Sequence, residues 1–359
     1  MVYKVIGCMS GSSLDGLDIA YVELQEQQST QKQGPKGWGY TILQTATEAY
    51  SEEWRRRLAA ATRLSALDYQ LLHVEYGRYI GERVNDFIEA HGLHYRVQLI
   101  ASHGHTTFHD PARRMTAQLG DGAAIAATAA VNVVSDLRAM DVALGGQGAP
   151  IVPIGERLLL PGYDYFLNLG GIANISHGSV AFDVCPANRV LNALAELEGQ
   201  PFDAGGAMAA AGRVDQRLLE RLNGLEYYGL GHPKSLANEF GTETVLPMVL
   251  QAELSTADAL RTVVEHIAVQ VGRAVAQLGG EGKMLVTGGG AHNTFLMERL
   301  RAAGAEVVVP EAQLVDYKEA LVMALMGVLR WREENNVLAS VTGASRDSIG
   351  GAVWIGQDA

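Results

Sequence analysis

An apolar run that enters a glycine-rich turn and leaves it as a second strand-like run constrains this chain most, because the arrangement occurs twice. At the start, Val5, Ile6, Gly7, Cys8 and Met9 lead into Ser10, Gly11, Ser12, Ser13, Leu14, Asp15 and Gly16, and Leu17, Asp18, Ile19, Ala20, Tyr21 and Val22 follow with alternating character. Two adjacent strands joined by a tight loop are the expected result. Gly11 and Gly16 admit positive φ and close approach, while Ser10, Ser12 and Ser13 add hydroxyls to a row of N–H groups suited to phosphate oxygens. Asp15 lies in the same loop, where a carboxylate beside a phosphate calls for Mg²⁺ between them or for a proton-accepting role. A hairpin that merely needs glycine is the plain alternative. The second half repeats the theme from Tyr165 through Gly170 and Gly171 to Ser176. Two such units facing one another would clamp a polyphosphate.

At 359 residues the chain exceeds what one core usually organises, so two domains are expected. With 48% hydrophobic and 19% charged residues and 41 glycines, it has the composition of a compact α/β enzyme. Its 28 Lys and Arg against 40 Asp and Glu give a net charge of −12 without a basic block, which disfavours nucleic acid and anionic membrane as partners. Cys8, in an apolar strand, and Cys185, in a distant turn, imply no disulfide framework, and no signal-like or membrane-length apolar run is present. A cytoplasmic protein is expected.

Along the chain, residues 25–39 read as a polar turn or loop, 51–61 as a helix, and 66–90 as a longer helix capped by Ser65. A buried strand over 96–102 delivers His103, His105 and His109 to a strand end, where α/β proteins place ligand groups. Their spacing invites a zinc reading, although no carboxylate or cysteine completes a set, and loop histidines also hydrogen-bond to ligands or backbone. Gln118 to Gly122 opens an Ala-rich helix before a strand over 132–136. Residues 136–150 are taken as the interdomain connection, either lining a cleft, with Arg138 as a fixed cation and Gln147 as a hydrogen-bonding group, or acting as a linker with a structural salt bridge. Beyond the second glycine turn, a strand ends near Asp183 and Asn188 opens a helix. A polar loop spans 230–240, and a strand from Lys283 meets Gly288, Gly289 and Gly290, whose bare backbone would suit a nucleoside or α-phosphate, or simply helix–strand packing. A closing helix over 318–334 carries Glu319 in its first turn.

Taken together, Met9 to Gly16, Leu144 to Pro150, Leu167 to Asn174 and Thr287 to Gly290 resemble the anhydro-N-acetylmuramic acid kinases, in the same order and over essentially the whole chain. The resemblance implies an α/β fold of two ribonuclease-H-like, actin-like ATPase domains flanking a nucleotide cleft, set here at 1–136 and 137–359, with the last residues able to pack back on the first domain. It also implies ATP-dependent phosphorylation at O6 of 1,6-anhydro-N-acetylmuramic acid with hydrolytic ring opening, Mg²⁺ as cofactor, and a homodimer. Carried over by position, ATP would be bound by Gly11, Ser12, Ser13, Leu14, Asp15, Gly16, Leu17, Asp18, Gly170, Gly171 and Gly288 to Gly290, with Asp15 reaching Mg²⁺ through water. Asp183 would be catalytic, and His103, His105, Arg138, Gln147, Asn188 and Glu319 would bind sugar. Three departures stand out: Ser12 replaces threonine, His105 replaces a common glutamine, and Val184, Cys185, Pro186, Ala187 and Asn188 replace Thr-Gly-Pro-Gly-Asn. A kinase for another anhydro sugar such as levoglucosan, a non-catalytic nucleotide or sugar sensor, and a metal-dependent hydrolase built on the histidines are the rival readings.

Overall fold

The computed structural model describes residues 1–11, 14–27, 37–232, 234–237 and 239–356. Ser12 and Ser13 therefore lie outside the described residues, as does most of the polar stretch at 25–39. The chain runs through β1 Val2–Ser10, β2 Gly16–Gln27, β3 Gly37–Ala49, α1 Glu52–Ala60, α2 Ala66–Ala90, β4 Leu99–Ser102, β5 His105–Asp110, β6 Met115–Leu119, α3 Gly122–Ala129, β7 Val133–Ser135, α4 Ala139–Ala143 and α5 Pro153–Leu159. It continues through β8 Tyr165–Leu169, β9 Ile172–His177, β10 Val180–Pro186, α6 Asn188–Glu196, α7 Ala207–Ala211, α8 Gln216–Asn223, α9 Leu246–Leu250, α10 Thr256–Gln277, β11 Lys283–Thr287, α11 Thr294–Ala302 and β12 Glu306–Val308. The last elements are α12 Ala312–Trp331, α13 Ala339–Thr342 and β13 Ala352–Trp354. It is a mixed α/β protein.

Two compact units result: Met1–Pro161 together with Tyr317–Ala359, and Gly162–Asp316. The division does not fall at residue 136, where the glycine-rich segment suggests it. That segment is tied into the first unit, because Arg138 bonds to His103 and the Gln147 N–H donates to the Thr342 carbonyl at 2.8 Å. Nor is it an extended linker, since it forms α4. The C-terminal residues return as well: β13 lies antiparallel on β7, with Ala352 opposite Ser135.

In the first unit the sheet order is β13-β7-β4-β1-β2-β3. The opening hairpin pairs Ser10 with Leu17 in antiparallel register, and β4 runs parallel to β1. The glycines work differently from expectation: Gly16 takes no left-handed φ, whereas Leu14 does, at 60°. What Gly16 provides is clearance, because a Cβ there would stand 2.6 Å from the Glu48 carbonyl oxygen. Ser65 caps α2 by accepting from the Asp68 N–H, and Leu72, Tyr76, Ile80, Val84 and Phe87 bury its inner face. α12 lies on β1 and β4 at close range, since a Cβ on Gly7 would collide with the Ala320 carbonyl, and one on Gly327 would lie 2.5 Å from the Ala101 methyl.

In the second unit the order is β10-β9-β8-β11-β12, with β8 and β11 parallel. Val263, Val264, Ile267 and Val271 of α10 are buried in one core with Leu167, Leu169, Val286 and Leu300. Cys185, read from sequence as a turn residue, is a strand residue in β10, and both cysteines are buried and free.

Candidate active site

The first unit gathers polar side chains where β1 and β4 end. Ser10 closes β1 at 3% exposure, and its hydroxyl accepts from Tyr50 at 2.8 Å and stands 3.2 Å from His105 Nδ1. The Tyr50 hydroxyl in turn lies 2.5 Å from that of Tyr76. Burial raises the Tyr50 phenol to about 12 and lowers the His105 imidazole to about 4. Both are therefore neutral at physiological pH, and the hydroxyl chain is a fixed hydrogen-bonding assembly. Neither tyrosine was legible as a site residue.

His103 follows β4, with Nδ1 2.8 Å from the Gly104 carbonyl and Nε2 accepting from Arg138 Nε at 2.7 Å. A carbonyl can only accept, so Nδ1 carries the proton. Burial, reinforced by Arg138, lowers this imidazole to about 3. Arg138 also donates to the Gly148 carbonyl at 2.5 Å, and burial brings its guanidinium down to about 10 against the charges of Glu319 and Asp141. It remains a cation at neutral pH. Asp141, fully buried, accepts from the Gly148 N–H at 2.8 Å and the Thr342 hydroxyl at 2.6 Å. This pair pins the 145–148 loop, while Gln147 itself stays exposed.

The three histidines do not form a metal set. Both His103 nitrogens are occupied, His105 Nδ1 faces Ser10 and His109 Nδ1 faces the Thr116 hydroxyl at 3.1 Å. Among the described residues no three His, Cys, Asp or Glu side chains gather to hold an ion. Nor is this segment a loop: β5 pairs antiparallel with β6, His105 opposite Leu119.

The start of β2 supplies carboxylates. Asp18 accepts from the Thr47 hydroxyl at 2.6 Å, and that hydroxyl lies 3.1 Å from the Tyr317 phenol; Asp15 is exposed in the turn. α12 is broken at Tyr317, so the helical stretch beyond the kink starts at Lys318 and Glu319 lies in its first turn, as the sequence suggests. Its neighbour Lys318 forms a buried ion pair with Glu156 at 3.0 Å.

In the second unit β8 and β11 run side by side and each is followed directly by glycine, at the strand end where α/β sheets carry ligands. The Gly170 carbonyl accepts from the Asn188 N–H at 3.1 Å, and the Gly171 carbonyl accepts from Ala187 at 2.8 Å and Arg189 at 3.3 Å. Asn188 donates its amide to the Leu169 carbonyl at 2.9 Å, and a Cβ on Gly290 would lie 3.0 Å from its Oδ1. The three elements Gly170–Gly171, Asn188 and Gly288–Gly290 thus form one backbone-lined patch. Asn188, assigned to sugar by resemblance, is built into this patch.

Asp183 sits in β10 at a bulge between Asp183 and Cys185, a device that re-aims a side chain. Its Oδ2 accepts from the Leu236 N–H at 2.8 Å, and burial raises its carboxyl above the usual aspartate range. It does not cap α6, whose first N–H groups go to Gly170 and Gly171. Lys234 lies 4.6 Å from the Tyr227 ring, and Tyr227 donates to the Asp183 carbonyl oxygen at 2.5 Å. Sequence reasoning missed Tyr227, whose role depends on a contact between distant segments.

The family model described as anhydro-N-acetylmuramic acid kinase matches residues 3–356. The chain is 35% identical to the anhydro-N-acetylmuramic acid kinase of Methylobacterium nodulans over 97% of this chain and 98% of that protein. It is 36% identical to that of Xanthomonas oryzae pv. oryzae over 97% and 96%. Among solved structures, the activator of 2-hydroxyisocaproyl-CoA dehydratase from Clostridium difficile matches with a TM-score of 0.45 at 14% identity, over 93% of this chain and 96% of that one.

Proposed function

We propose the chemistry of this site from one premise: the chain belongs to the anhydro-N-acetylmuramic acid kinase family. It is an ATP-dependent kinase that phosphorylates O6 of 1,6-anhydro-N-acetylmuramic acid while water opens the anhydro bridge, giving N-acetylmuramic acid 6-phosphate for peptidoglycan recycling. The acceptor is an ether oxygen, which has no proton to lose and is a weak nucleophile until its bond to C1 loosens. Water therefore attacks C1 as O6 moves onto the γ-phosphorus: the pair of electrons in the C1–O6 bond becomes the new P–O bond, the bond from the γ-phosphorus to the β,γ-bridging oxygen breaks, and ADP leaves with that pair.

Asp183 is the general base for that water. The observation that carries this role is its buried carboxyl, held by one backbone N–H at Oδ2, with an affinity for protons raised toward the range a base needs. The glycine patch of the second unit and the Gly11 to Asp18 segment hold the nucleotide. His103, His105, Arg138, Gln147 and Glu319 orient the sugar, the neutral imidazoles as hydrogen-bonding groups and Arg138 as the cation. Asp15 and Asp18 offer the hard oxygen donors that suit Mg²⁺, which usually takes one or two carboxylates and completes its shell with water and phosphate. When bound, Mg²⁺ neutralises phosphate charge. A homodimer in the cytoplasm completes the proposal.

Asp183→Asn should lower turnover at least about a hundredfold, the range for loss of a general base, with ATP affinity retained. Turnover in a coupled ADP-release assay and ATP binding by calorimetry check this, and unchanged turnover would remove Asp183 from the role. The same assay with levoglucosan tests the sugar, and product mass in isotopically labelled water shows whether solvent oxygen lands on C1.

A further inference from the structure

We propose that Arg189 is a further phosphate-binding residue, its Nε and Nη2 edge taking oxygens of the nucleotide's phosphate chain beside Gly171. The inference rests on the kinase reading for the identity of the anion, and on this chain's own geometry for the site. Arg189 is the second residue of α6, and its side chain folds back over the glycine turn. A Cβ placed on Gly171 would meet Arg189 Nε at 3.5 Å and Nη2 at 3.6 Å. The guanidinium thus borders the face of the turn on which any other residue would carry its side chain. Its stem is wedged on the other side, since a Cβ on Gly241 would lie 3.5 Å from Arg189 Cδ and 3.3 Å from Pro186 Cβ.

The Arg189 Nε is shut off from solvent and has no hydrogen-bond partner among the described residues. Arg83 and Arg261 also bury an Nε without a hydrogen bond, but each faces a carboxylate, Arg83 Nη2 at 2.8 Å from Asp86 and Arg261 Nε at 3.9 Å from Glu265, whereas no ion pair of Arg189 is found among the described residues. Arg299 places Nε and Nη2 on the two Glu265 oxygens, each at 2.9 Å, and Arg138 is held by His103 and Gly148. A buried donor left unmade costs about 1–3 kcal/mol, and more on a charged group. A planar fork of two N–H donors is matched by two oxygens of one oxyanion. The neighbouring turn points to the same ligand class. The Gly170 and Gly171 carbonyls are taken by α6, and no hydrogen bond found among the described residues uses their N–H groups. Unused main-chain donors beside a fixed cation suit phosphate.

Two anions take part in the reaction, the phosphate chain of ATP and the lactyl carboxylate of the sugar, and the glycine patch around Arg189 favours the first. The test compares Arg189→Gln and Arg189→Lys in the full chain, with ATP and adenosine affinities measured by calorimetry and KM for both substrates measured in turnover. Arg189→Gln should weaken ATP at least about tenfold, as expected for loss of a charge-assisted bidentate pair, and leave adenosine within about twofold. Arg189→Lys should fall between, because a point charge cannot reproduce the fork. Unchanged ATP affinity in both variants overturns the proposal. Equal losses for ATP and adenosine also overturn it, by showing that the side chain only packs the turn. A loss confined to sugars bearing the lactyl carboxylate, with ATP unaffected, moves the guanidinium to that group and overturns the phosphate assignment. If Arg189→Gln fails to give a cooperative thermal melt, the ratio of ATP to adenosine affinity in Arg189→Lys decides. Because nucleotide binding is read without turnover, wild-type protein that binds ATP yet leaves the anhydro sugar untouched would overturn the kinase reaction and leave the Arg189 test standing.

Discussion

In the first unit the strand end at Ser10 is braced by side chains, with Tyr50, Tyr76 and His105 converging on one hydroxyl and Arg138 locked between His103 and Gly148. In the second unit the corresponding turn is braced by main chain, the Gly170 and Gly171 carbonyls receiving the first N–H groups of α6. A side-chain brace depends on hydroxyl placement and on protonation. A main-chain brace is indifferent to both, but it fails wherever a side chain would fill the space between the strands' ends. The contrast also separates the two arginines: Arg138 is committed within the protein, whereas Arg189 stands beside its turn with a buried donor unassigned.

The sharpest break in this contrast should come at Gly288. Its φ of 81° and ψ of 163° lie in a region open essentially to glycine, and a Cβ would stand 2.5 Å from Asn168 Oδ1 and 3.0 Å from the Leu169 carbonyl carbon. Gly288→Ala should cost about 3 kcal/mol, read from the urea midpoint at constant m-value. The next effect is one of pH. His103 and His105 hold off protons to about 3 and about 4, against 6.5 for the ordinary imidazole. The unfolded chain therefore binds more protons between those values, and unfolding free energy should fall as pH drops below about 6.5. His266, buried in the second unit and lowered to about 3, adds to the slope from outside either turn. His105→Gln should flatten the slope measured by urea titration from neutral to acid; an unaltered slope would mean that the side-chain brace does not titrate. The smallest change belongs to Tyr50→Phe, which removes one link of the hydroxyl chain and should cost about 1 kcal/mol. A loss as large as that at Gly288 would erase the distinction between the two braces.

Much of this was legible because the signals are local. Ser65 followed by apolar residues at helical spacing gives α2 with its observed bounds, and the paired strand–glycine–strand runs give both hairpins. The order of the four motifs carries the family. The return of the last residues to the first domain was expected, but β13 joins β7 across more than half the chain, so no local composition shift marks the unit boundary. The β5–β6 hairpin escaped because His105 to Asp110 is polar and lacks alternation. The Tyr50 to Ser10 bond and the guanidinium over Gly171 are tertiary coincidences of residues that in sequence look like ordinary core or helix-surface groups. Asp183 itself was visible, but not the bulge that aims it.

The return of α12 and β13 to the first sheet has a consequence for how the molecule is made. On the ribosome, residues 162–316 emerge as one uninterrupted stretch and can fold while β7 still has a bare edge and Gly7 still lacks the helix that covers it. The part of the protein synthesised first is thus the part completed last, and its closure is a long-range event of the kind that folds slowly. A nascent or shortened chain would hold one finished body beside an open strand, the sort of edge through which copies join one another.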